Sequence, residues 1–164
     1  MTQNTAPVIL TFLFYLSGIV NVAGISVLAG KEIVIYFTSF LQSFVQSGAS
    51  APVLLDRTSI TSIYPTVFST EGCIAIILWG LAYISVAKTF HKLPLLCFVF
   101  FLEKTFYTLT WWSWIISHPS FHVEKQFLVN LFFKVYGLND AFFALVFLAA
   151  FFVALNSSTK FKKE

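Results

Sequence analysis

Four stretches of this chain, at about residues 8–29, 69–87, 94–116 and 133–155, are apolar over close to the roughly 20 residues that a helix needs to cross a bilayer. In lipid the backbone must satisfy its own hydrogen bonds, so such runs fold as helices. Nothing else in the 164 residues gives them a soluble partner. Hydrophobic residues make up 58% of the chain and charged ones 10%, against about 25% charged in a soluble domain. The expected fold class is therefore all-α: an integral membrane four-helix bundle, with residues 1–164 forming a single domain. The first run is longer than the core of a secretory signal, and residues 1–6 contain no Lys or Arg. It is expected to remain as a helix, although Val27-Leu28-Ala29 resembles a small-residue cleavage site.

Lys and Arg in the loops set the orientation. With four crossings, Lys88, Lys92, Lys160, Lys162 and Lys163 share one side in short segments, whereas Lys31, Arg57, Lys125 and Lys134 are spread over the longer loops opposite. This predicts a multi-pass protein of the cell membrane with both termini cytoplasmic. The basic tail marks the cytoplasmic face, and nothing points to nucleic acid.

The first loop is too long for a simple connector. Ile33, Phe37, Phe40, Leu41 and Phe44 recur at helical spacing, with Ser39, Gln42, Ser43 and Gln46 between them. The pattern predicts a short interfacial amphipathic helix, ended by residues 47–50 and Pro52. It reads as a surface anchor, with a lid over the outer mouth as the alternative. Ser69 or Thr70 is placed to cap the second helix, and Glu71 then faces its positive end. Trp79 and Tyr83 fit an aromatic belt at the inner end. Cys73 and Cys97 fall near opposite faces and are not expected to bridge. His118, His122 and Glu124 form no regular ligand face, because Pro119 interrupts them. No metal site and no cofactor is expected.

Within the third run stands the pair Glu103-Lys104. Each charge opposes insertion by about 2.5–3.5 kcal/mol at the centre of a span, and about ten Leu, Ile, Val and Phe return only ~0.3–0.6 kcal/mol each. The helix is marginal alone and needs polar partners from its neighbours. Adjacent residues point about 100° apart around a helix, so the two side chains must turn to different partners. The available groups are Asn21 on the first helix, Glu71 on the second, and Tyr136, Asn139 and Asp140 on the fourth. At 1.5 Å per residue, Glu103 stands roughly 14 Å from the inner end of its helix, Asn21 roughly 20 Å up the first and Asp140 roughly 10 Å below the outer end of the fourth. These depths place the groups near one level, with Lys104 turned to Asp140. Tyr107, Thr110, Trp111 and Trp114 continue the same helix towards the outer surface.

A polar cluster of this kind inside a membrane points to function, a structural ion pair being the alternative. The function expected is binding of a small lipophilic ligand in an outward-facing polar and aromatic cleft, where the excess of carboxylates (Glu71, Glu103 and Asp140 against Lys104) favours a cation. Its lining is expected from Asn21, Glu71, Glu103, Lys104, Tyr107, Trp111, Tyr136, Asn139 and Asp140. Carboxylate acid–base chemistry is open to such a site, but no motif specifies a reaction and no catalytic residue is assigned. The alternatives are a small proton- or ion-coupled transporter and a structural or assembly subunit of a larger membrane complex. Partners are accordingly the lipid bilayer, the ligand, and a second copy or a complex subunit. In architecture the arrangement resembles the compact four-helix ligand-binding or isomerase membrane proteins of the emopamil-binding type; the likeness is one of fold plan.

Overall fold

The computed structural model describes residues 5–45 and 59–161. These residues form helix α1 (Thr5–Val45), two single turns α2 (Ile60–Ile63) and α3 (Pro65–Phe68), then α4 (Thr70–Val86), a 3-10 turn at Phe90–Lys92, α5 (Pro94–Ser117) and α6 (Phe127–Phe161). No strand occurs among the described residues. Two stretches, Ala6–Leu41 and Phe127–Ser157, are long and apolar enough to cross a membrane, and α4 is a shorter apolar helix of 17 residues.

The helix boundaries follow local chemistry. The Ser69 hydroxyl accepts a hydrogen bond from the Gly72 amide at 3.0 Å, which caps α4. Pro65 and Pro94 open α3 and α5, where a missing N–H costs nothing. We predict that Ser69→Ala lowers stability by about 1 kcal/mol, measured as a shift in the thermal midpoint of the purified protein. An unchanged midpoint would show that the cap is unimportant.

One expectation is corrected. Residues 30–45 do not form a separate interfacial helix; they continue α1 without a break. Gly30 is the one glycine in this stretch, and its cost of about 1 kcal/mol is too small to end a helix. Phe37 and Leu41 stand exposed on this extension and cover no mouth. The predicted terminators at 47–52 lie outside the described residues. At the other end of the chain, α6 begins six residues before the expected start at 133. Asn130 ties the preceding loop to it, accepting from the Val123 amide at 2.8 Å and donating to the Val123 carbonyl at 2.7 Å.

Helix α1 packs along α4 and α5 along α6, and α1 touches α6. The α1–α4 crossing is a glycine contact: a Cβ at Gly18 would fall 2.5 Å from the Gly80 carbonyl, and one at Gly80 would fall 2.8 Å from that of Gly18. Close backbone approach through small residues is the usual means of helix association in lipid. The buried side chains fall into two layers. One lies beside the 59–68 segment and includes Ile25, Phe68, Ile76, Trp111, Trp114 and Phe133. The other lies beside the Phe90–Lys92 turn and includes Phe14, Tyr83, Phe90, Phe100, Phe143 and Phe147. Both cysteines are free and buried, Cys73 in the first layer and Cys97 in the second.

Candidate functional site

Between the two layers lies a sheet of polar side chains. Lys104 is 2% exposed, and its ammonium donates to Asp140 Oδ1 at 2.6 Å and to Asn21 Oδ1 at 3.1 Å. The Asn21 amide donates in turn to the Ile76 carbonyl at 3.4 Å, and the Asn139 amide donates to Asp140 Oδ1 at 3.4 Å. The polar contacts of Lys104 therefore run from α5 to α1 and α6, and those of Asn21 reach α4. The Lys104 ammonium also stands 5.6 Å from the centre of the Tyr83 ring, within cation–π range.

Glu103 turns elsewhere, as its neighbour's geometry demands. Its Oε2 accepts from the Tyr83 hydroxyl. Tyr83 is wholly buried and reaches up from the turn-side layer, where its ring meets Phe100 at 4.8 Å and Phe147 at 4.7 Å between centroids. This corrects the reading of Tyr83 as an interfacial belt residue. Tyr83 was also not among the polar groups expected to be available to Glu103. A tyrosine lower on α4 is long enough to bridge the difference in depth, which residue counting along the helix axes leaves out.

The polar sheet borders a cavity of about 200 Å³. Of the residues expected there, Asn21, Glu103, Lys104, Tyr107, Tyr136, Asn139 and Asp140 line it. Two do not. Glu71 is exposed in the first turn of α4, where the helix dipole accounts for it. Trp111 is a clamp between α5 and α6: its indole N–H donates to the Phe133 carbonyl at 2.9 Å, and its ring lies flat on Gly137. A Cβ at Gly137 would sit 2.1 Å from that ring. The apolar walls, which sequence reading missed, come from Val20, Gly24, Ile25, Phe68, Ile76, Phe132 and Val135. Apolar residues on apolar helices carry no individual signal, so only the polar members stood out.

Three buried oxygens have no hydrogen-bond partner among the described residues: Glu103 Oε1, the Tyr136 hydroxyl and the Ser17 hydroxyl. The first two belong to residues lining the cavity. An unmet buried polar atom costs about 1–3 kcal/mol. The charges beside the cavity are unequal. Asp140 is matched by Lys104, whereas Glu103 has a phenol and no cation of its own. Elsewhere, His118 stacks on Trp114 at 4.7 Å and bonds its carbonyl at 2.9 Å, and no group of three metal-ligating side chains occurs among the described residues. No protein-family model, curated protein or solved structure matches the chain.

Proposed function

We propose that this is a multi-pass membrane protein whose helices α1, α4, α5 and α6 cross the bilayer as a bundle, with both termini cytoplasmic. Its cleft binds a small lipophilic molecule through a cationic, hydrogen-donating head group. The observation that carries this reading is the pair of unpartnered buried oxygens, Glu103 Oε1 and the Tyr136 hydroxyl, on residues lining one apolar cavity. A protonated amine donates to both. The cavity volume of about 200 Å³ suits a group of ring size, since about 150 Å³ accommodates benzene. The layer that holds Tyr83 together with Phe14, Phe90, Phe100 and Phe147 lies below Glu103 and is largely aromatic, which favours binding over a continuous pore.

Cyclohexylamine and cyclohexanol separate the head-group chemistry at constant shape. We expect the amine to bind the full chain in lipid nanodiscs saturably, and the alcohol at least about tenfold more weakly. Glu103→Gln removes the charge and is expected to weaken the amine about tenfold or more while leaving the alcohol nearly unchanged. Equal binding of the amine by the wild type and Glu103→Gln, or no binding at all, would overturn the proposal.

A further inference from the structure

Resting on the binding role just proposed, we infer that the ligand is a single-chain amphiphilic amine that enters sideways from the lipid, its head group at Glu103 and its tail leaving between α1 and α6. The end of the cavity facing the 59–68 segment is stoppered. Phe68 is 2% exposed and meets Tyr136 edge-on at 5.1 Å and Phe132 at 5.2 Å. The opposite end is filled by the aromatic layer. The most exposed of the lining residues are Val20 on α1, 38% exposed, and Val135 on α6, 43% exposed. Gly24 widens the same wall, with open space where a Cβ would stand. Around this gap the exposed side chains include Leu16, Ile19, Leu131 and Leu138, with Lys134 between the last two.

A gap framed mostly by aliphatic side chains suits a hydrocarbon tail. The cavity itself is too small for a long chain, so any ligand with one must trail it through this gap. The arrangement thus sorts ligands: an amine head is met inside by Glu103 and Tyr136, and a flexible tail stays in lipid without having to be enclosed. A rigid, bulky body of sterol size has room neither inside the cavity nor between two valines.

The experiment uses the full chain in nanodiscs, with ligand counted per lipid, and compares dodecylamine with cyclohexylamine. Leu138→Trp narrows the mouth of the gap from α6 and Leu16→Trp narrows it from α1; both positions are exposed and neither lines the cavity, so folding is expected to be retained and is checked by thermal midpoint. Each variant is expected to weaken dodecylamine about tenfold or more and to leave cyclohexylamine within about threefold at equilibrium. Dodecylamine carrying a diazirine at its far end is expected to label α1 and α6 peptides on illumination. Equal weakening of both amines, no weakening of dodecylamine, or labelling on α4 and α5 would overturn the sideways route while leaving the binding site standing. If neither amine binds the wild type, the site reading and the route fail together.

Discussion

Lys104→Met is expected to destabilise the protein by about 3–5 kcal/mol, because it leaves the Asp140 carboxylate buried without its cation. Asp140 is 7% exposed, and its other contact is the Asn139 amide at 3.4 Å, too weak a partner to replace an ammonium at 2.6 Å. Removing both charges is a different matter. A buried ion pair gains little over well-packed apolar groups of the same size. The double variant Lys104→Met with Asp140→Leu is therefore expected to recover stability to within about 2 kcal/mol of wild type, the remainder reflecting the freed amides of Asn21 and Asn139. Reversible unfolding in mixed micelles measures both variants. Wild-type stability in the single variant would show that the pair does not form, and a double variant worse than the single would show that the pair contributes net stability of its own.

The second large effect is at Gly137. An added Cβ would lie 2.1 to 2.3 Å from three ring carbons of Trp111, so the ring or the helix must shift. Trp111 is 5% exposed and is fixed by its bond to the Phe133 carbonyl. Gly137→Ala should thus cost about 3 kcal/mol, at the upper end for overpacking. The sign reverses once the ring is gone. In a Trp111→Leu background the same change meets no ring and gains about 1 kcal/mol of helix propensity. A double-mutant cycle reads this coupling directly, and additive effects would mean that the ring does not rest on the glycine.

The sequence carried the polar sheet because ionisable and amide groups stand out on apolar helices. Helical rise alone brought Asn21, Lys104 and Asp140 to neighbouring depths, and the opposed directions of residues 103 and 104 separated their partners. What it missed has three physical causes. Depth counted at the Cα ignores the reach of a long side chain, and so Tyr83 went unassigned to Glu103. Amphipathic spacing over residues 33–44 looks the same whether a helix lies on a surface or continues one already begun, so the extension of α1 was read as a separate element. The roles of Gly137 and Trp111 depend on which faces of α5 and α6 meet, and periodicity cannot supply that when both helices are apolar nearly all round. The same blindness hid Val20 and Val135, whose importance comes from being exposed beside a cavity.

The most direct test of the central claim, that Glu103 receives a ligand amine, is solid-state NMR on the complex in lipid. Cyclohexylamine labelled with ¹⁵N is bound to protein carrying ¹³C at its glutamate carboxyls, and the dipolar coupling between the two is measured. The account predicts a coupling corresponding to about 4 Å or less, the spacing of a direct N–H···O contact seen from the carboxyl carbon, and its loss in Glu103→Gln. Bound amine with no such coupling, or a coupling that survives Glu103→Gln, would contradict it.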